Sequence, residues 1–305
     1  MRRAVNLQSL SLRQLLGVKL VRAVSATAFG ALAVRKLTIP VRKQEFSYGP
    51  HRAERLDCLS PADSDPGSGE AVIYMHGGGW ISCNKRYYPA DLQFLCDAGY
   101  TVFNLEYPLA PEHPHPHMLR SILRAVAWIK QQYPGISRIH MMGDSAGANL
   151  ATMYAVLFCN PELLPHLGGQ FSPDDLLRPA TIVSLYGLLD RETLIGDDPE
   201  KVKSIVRLFL QSYGGLDVLQ PGPIAPEKAI TPMDLAWTNH PPCFLGGGDI
   251  DFLSDSSDLY IRELESRGIP AVRKLYPDAP HGFFNMNHVQ TPVLRQDVLQ
   301  FLAAH

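Results

Sequence analysis

The chain has 305 residues, 46% hydrophobic and 19% charged, enough to bury one large core in an elaborated α/β domain. Its net charge of -2 provides no overall field for nucleic acid or an anionic membrane. Five cysteines (Cys58, Cys83, Cys96, Cys159 and Cys243) are scattered without CxxC or zinc spacing, so they read as buried or incidental thiols of a reducing, cytoplasmic setting.

The charge is unevenly spread. Residues 1–44 carry nine Lys/Arg and no Asp or Glu. The longest uncharged run there, Ala23 to Val34, is 12 residues, too short to span a bilayer. Leu12, Leu16 and Leu20 are spaced for one helix face, with Lys19 in the middle of it. Three readings stay open: a cap helix over an active site, a peripheral membrane anchor, or a mitochondrial-type presequence. The expected division is an N-terminal cap or anchor segment at 1–45 and a catalytic domain at 46–305, interrupted by an insertion at about 190–234.

Short β-type runs at 45–48 and 55–58 suggest antiparallel edge strands, and Pro61 to Gly69 is a loop by composition. Ala71 to Met75 is a continuous apolar run fit for a strand buried on both faces. It ends in His76-Gly77-Gly78-Gly79-Trp80, where consecutive glycines let the backbone approach a ligand with its N–H groups exposed. A helix (91–98) and a strand (101–105) follow, then the proline-dense stretch Glu106 to Pro116. His113, His115 and His117 alternate there, so an extended segment would place them on one side. No carboxylate or cysteine partner stands at ligand spacing, and the stretch reads as a structural loop rather than a metal site.

A helix is expected over 118–132, then a strand at 139–142 leading into Gly143-Asp144-Ser145-Ala146-Gly147. Behind this, Leu150, Met153, Tyr154, Leu157 and Phe158 have the spacing of one buried helix face. A G-x-S-x-G between strand and helix is a nucleophile elbow: the glycines permit a strained turn that lifts the Ser145 hydroxyl above the sheet edge. The alternative is a serine N-cap on a glycine-flanked helix. Strand 181–185 comes next. Residues from about 190 to 234 then break the strand–helix alternation, with one helical run at 202–210 and a Gly/Pro-rich stretch at 214–226. An insertion there sits above the C-terminal strand edges, where ligands bind in such sheets. The pattern resumes with strand 242–245, the turn Gly246 to Asp255, helix 257–266, strand 271–276, the turn Asp278 to Phe283 and a final helix at 292–303.

Five ordered motifs carry a family resemblance over roughly residues 70–305: His76 to Trp80, Tyr107 to Pro114, Gly143 to Gly147 followed by Asn149-Leu150-Ala151, Asp251-Phe252-Leu253-Ser254-Asp255, and His281-Gly282-Phe283. The chain resembles the bacterial hormone-sensitive-lipase-like esterases. The resemblance implies an α/β-hydrolase fold: a mostly parallel sheet of about eight strands flanked by helices, with a helical cap. It implies hydrolysis of short- to medium-chain carboxylic esters, with a small-molecule ester as partner and no cofactor or metal. A homodimer and a peripheral membrane contact through the basic N-terminus stay open.

By the same resemblance, Ser145 is the nucleophile, His281 the general base, and Asp251 or Asp249 the acid. Only Asp251 fits the D-x-L-x-D pattern and lies 30 residues before His281, so it is preferred and Asp249 is given the turn. Backbone N–H groups of Gly78, Gly79 and Ala146 are the expected oxyanion hole. His76 is read as bracing the glycine loop and Asp144 as structural. Two departures stand out. Pro108 replaces an arginine of the family, removing an internal ion pair, and Phe252 replaces the proline after the acid. An amidase, arylformamidase or deacetylase would use the same parts, and a non-catalytic receptor could sit on the same scaffold.

Overall fold

The computed structural model describes residues 10–32, 35, 37, 41–167, 171–196 and 198–305. Of the nine basic residues in 1–44, Arg2, Arg3 and Lys36 lie outside the described residues.

The framework is one eight-stranded sheet built from β1 (Val41–Ser47), β2 (Arg55–Pro61), β3 (Ser68–Met75), β4 (Thr101–Leu105), β5 (Gly135–Asp144), β6 (Pro179–Leu185), β7 (Cys243–Gly248) and β8 (Ala271–Tyr276). Spatial order is β1-β2-β4-β3-β5-β6-β7-β8. Antiparallel pairing is confined to β1–β2 and β2–β4, so β2 alone runs against the other strands. Of the two expected antiparallel edge strands, β1 forms the edge and β2 lies one place in, and every pairing from β4 onward is parallel. The mostly parallel eight-stranded sheet thus follows the sequence expectation. Strands begin up to four residues earlier than the apolar runs suggest, because polar residues at strand starts still pair through the backbone.

The period-two alternation in β3 divides the core between the two faces. Ala71, Ile73 and Met75 join one cluster with α3 (His117–Gln132), α4 (Ala146–Cys159) and α7 (Ser254–Ser266). Val72 and Tyr74 join another with α2 (Pro89–Asp97) and α8 (Thr291–Ala304). Both sheet edges carry cations, Arg42 and Lys43 on β1 and Arg273 and Lys274 on β8, which discourage pairing with another chain. α4 differs from the one-faced helix expected. Every residue from Ala146 to Leu157 is buried, because the helix lies against β3, β5 and β6 on one side and α3 on another.

Two further elements complete the chain above the sheet: α1 (Leu12–Gly30), opened by a capping box between Ser11 and Gln14, and the 190–234 insertion with α5 (Glu192–Ile195) and α6 (Ser204–Gly214). α1 touches α6, where Gln14 Nε2 donates to Gln211 Oε1 at 2.6 Å. Buried Arg191 pins the insertion by donating to Asp234 at 2.7 Å, to the Gln220 carbonyl at 2.6 Å and to the Gly222 carbonyl. Among the described residues, no helix is long and apolar enough to cross a membrane.

Candidate active site

Ser145 sits between β5 and α4 with φ 51° and ψ -120°, a conformation costly for any residue with a Cβ. The turn is held by the Ser145 N–H, which donates to the Leu185 carbonyl at 2.8 Å. Its glycines are there for space. A Cβ on Gly147 would collide with the carbonyl oxygens of Met75 and His76, and one on Gly143 with the Gly147 carbonyl group. The turn can therefore be this tight only with glycine on both sides. Asn149, one turn into α4, ties the helix to the cap insertion by donating to the Leu188 and Ile230 carbonyls, both at 2.8 Å.

Three side chains from three loops converge here. His281 Nε2 lies 2.9 Å from Ser145 Oγ, and His281 Nδ1 lies 3.0 and 2.9 Å from the two Asp251 carboxylate oxygens. A carboxylate accepts only, so Nδ1 carries the proton and Nε2 is left to accept from the serine hydroxyl. The Asp251 side chain is fully buried, and Oδ1 also accepts the Leu253 N–H at 2.8 Å. Asp249, the other sequence candidate, points into solvent; its backbone N–H bonds to the Tyr276 carbonyl. The structure brings together Ser145, His281 and Asp251 and leaves Asp249 in the turn.

The glycine loop faces the same point. Gly78 and Gly79 have φ of 116° and 59°, and a Cβ on Gly78 would strike the Ser82 carbonyl. Among the described residues, no acceptor takes the N–H of Gly78, Gly79 or Ala146, and all three residues line the cavity that holds Ser145. Asp144 lies behind the loop. Its Oδ1 accepts from Tyr74 at 2.6 Å and from the Gly77 N–H at 2.7 Å, with Tyr88 at 3.4 Å from Oδ2. Burial pushes its carboxyl above the usual range, with the Tyr74 bond acting in the opposite sense. His76 is fully buried, with Nδ1 2.7 Å from the Gly77 carbonyl and Nε2 3.2 Å from Glu106, and it stacks on Tyr107 at 4.4 Å. Burial alone would lower its pKa; the Glu106 charge and hydrogen bond outweigh it and leave the value raised.

A cavity of about 380 Å³ opens over Ser145. Its walls are mostly apolar and come from elements far apart in sequence: Val21, Ser25 and Phe29 of α1, Val206 and Phe209 of α6, and Phe252 and Met286 beside His281. The Phe209 ring stands against Gly79, about 3.0 Å from where a Cβ on that residue would be. The Phe252 ring is 4.8 Å from His281, and the Tyr186 ring, on a residue with φ 42°, is 5.0 Å from it. These wall residues escaped the sequence reading. Phe252 had a signal, as the aromatic standing where the resemblance implies proline. Phe209 and Tyr186 had none, since each is one apolar residue among many.

The histidines of the proline-dense stretch depart from the expectation. α3 begins at His117, so the segment is not extended throughout. His113 and His117 lie 6.0 Å apart with His51 beside His113, while His115 packs edge-on against Tyr213. Among the described residues, no group of three His, Cys, Asp or Glu is arranged to hold a metal ion. The ion pair whose loss was read from Pro108 has a counterpart from elsewhere. Arg22 of α1 binds both Glu112 oxygens, at 2.8 and 2.6 Å, and also donates to the Ile81 and Ala110 carbonyls, each at 2.8 Å.

A family model described as the alpha/beta hydrolase fold matches residues 72–285, from β3 through the turn bearing His281. The chain belongs to that family. The chain is similar to the curated carboxylesterase NlhH of Mycobacterium tuberculosis, with 30% identity over 225 residues. The match covers 70% of this chain and 66% of that protein, just under two thirds of the relative's length. Solved esterase structures share the fold. Esterase B from Lactobacillus rhamnosis superposes with a TM-score of 0.79 over 96% of each chain at 20% identity. An esterase from Pyrobaculum calidifontis does so with a TM-score of 0.71 over 92% of this chain and 91% of its own, at 24% identity.

Proposed function

We propose that the protein is a serine carboxylesterase acting on short- to medium-chain acyl esters of small molecules. The observation that carries the reading is the unbroken hydrogen-bonded line Ser145–His281–Asp251 at the foot of an apolar cavity. Similarity to a carboxylesterase supports the choice of bond. Ser145 Oγ attacks the ester carbonyl as its proton passes to His281 Nε2. The oxyanion forms against the N–H groups of Gly78, Gly79 and Ala146, each donor contributing about 3 kcal/mol at the transition state. The imidazolium, held by Asp251, returns its proton to the leaving alcohol. Water then gives a proton to His281 and attacks the acyl-enzyme, releasing the acid and restoring Ser145.

In this reading His76 and Asp144 act by holding the glycine loop, and α1 with the 190–234 insertion acts as a cap over the domain beginning near residue 46. Enclosure by α1 and α6 suits small esters, and the dispersed cysteines suit a cytoplasmic setting.

The test is hydrolysis of a p-nitrophenyl ester series, acetate through palmitate, beside a Ser145→Ala control. Serine-dependent turnover peaking at short chains is expected. Turnover rising toward palmitate would contradict the small-ester reading. No turnover above the control, with serine-dependent cleavage of aryl amides instead, would move the assignment to an amidase.

A further inference from the structure

The outer face of α1 carries an apolar stripe that the packing of the described chain does not use. Leu12, Leu16, Leu20 and Val24 succeed one another at four-residue spacing and are 75%, 56%, 65% and 58% exposed. The opposite side holds buried Val18, with Val21, Ser25 and Phe29 at the cavity wall. The helix is therefore apolar on two sides, one serving the pocket and one facing water. At 3.6 residues per turn, Arg13 and Lys19 fall about 60° to either side of Leu16. Both are exposed, and no acidic residue lies anywhere in residues 1–44.

We propose that this face docks on an anionic lipid surface, with the Leu12–Leu16–Leu20–Val24 stripe entering the headgroup–acyl boundary and Arg13 and Lys19 meeting lipid phosphates. Charge selects this occupant over a second copy of the chain. Two such helices face to face would bring cations against cations with no acid on either to pair them, whereas anionic lipid neutralises the same residues. A helix is about 10 Å across, so docking holds the cavity one helix diameter from the bilayer surface. Phe252 and Met286 line that cavity and are themselves half exposed. The favoured substrates are then amphiphilic esters already partitioned into the membrane surface. This last step rests on the esterase reading; the docking does not.

The experiment is co-sedimentation of the full chain with vesicles of phosphatidylcholine alone or mixed with phosphatidylglycerol. Binding to mixed vesicles should exceed binding to phosphatidylcholine by about tenfold or more. Leu16→Gln with Leu20→Gln should reduce it by a similar factor, and Arg13→Gln with Lys19→Gln should abolish the preference for the anionic lipid. Because all four positions are exposed and outside the cavity wall, p-nitrophenyl acetate turnover should be unchanged in both variants. Sedimentation is read without hydrolysis, so docking and esterase activity can fail separately. Failure of the wild-type chain to sediment with mixed vesicles would overturn the proposal, as would undiminished binding by the leucine variant. So would a dimer in analytical ultracentrifugation that the leucine variant dissolves, which would assign the stripe to a second copy.

Discussion

At Ser145 a positive φ on a residue with a Cβ is tolerated because neighbouring glycines remove every side chain that would meet the turn. Such strain is retained where the surroundings over-determine it, here through the Leu185 carbonyl and the start of α4. Ser145→Ala should lower kcat by about 10⁴-fold or more and leave the urea midpoint nearly unchanged, because one hydroxyl is removed at no cost in packing. Asp251→Asn should lower kcat by about 10³- to 10⁴-fold, since the amide no longer enforces the Nδ1–H tautomer. Asp249→Asn, at an exposed position, should lie within about twofold of wild type. Equal losses in the two asparagine variants would refute the choice of acid. At this scale much was readable from sequence, because elbow, glycine loop and acid turn are each set by residues adjacent in the chain. What was not readable is that Tyr74 and Tyr88, 70 and 56 positions from Asp144, hold that carboxylate.

Among the elements, α1 and the proline-dense segment depend on each other. Arg22 spans the two, gripping Glu112 and two carbonyls that flank the glycine loop. Both charged groups are about a third or more exposed, so the pair itself contributes at most about 1 kcal/mol. Its position matters more than its strength, since it fixes the helix that walls the cavity. Arg22→Ala should raise KM by roughly fivefold with kcat little changed, and should speed proteolysis within α1. Unchanged KM and cleavage would show that the α1–α6 contact suffices. The Arg22 hydrogen bond draws the Glu112 carboxyl below its usual range. A depressed carboxylate stabilises the fold above its unfolded pKa and loses that contribution as pH falls through the folded value. The clamp should therefore hold through neutral and mildly acid pH and open only at strongly acid pH. Sequence indicated a helix at 12–20 through its leucine spacing but gave no sign of which face turns inward. That choice is made by Gly17 and Val18 meeting α6 and the core, contacts formed across nearly 200 residues.

For the whole molecule, partly and fully buried histidines set the response to acid. Burial lowers His115 and His240 to about 4, where the unfolded chain has about 6.5. Burial also lowers His113 and His140. A group with a depressed folded pKa binds its proton more tightly when unfolded, so its neutral form favours the fold above the unfolded pKa. That advantage disappears as pH falls through the folded value. For His115 and His240 the full difference is about 3 kcal/mol each, developed between roughly pH 6.5 and 4. His76 acts in the opposite sense. Its raised value stabilises the fold below the unfolded pKa, and this is lost as pH rises through the folded one. It therefore opposes the other histidines only near and above neutrality. The urea midpoint should consequently fall steeply from pH 6.5 to 4.5, a window in which most carboxylates are still ionised. His240→Asn would keep a polar group for the Pro241 carbonyl while removing the titration. This variant should flatten the slope by about a third to a half, even if it lowers the midpoint at pH 8. A slope unchanged in His240→Asn would mean that His240 charges without unfolding the protein, and that its burial is relieved locally rather than by global opening.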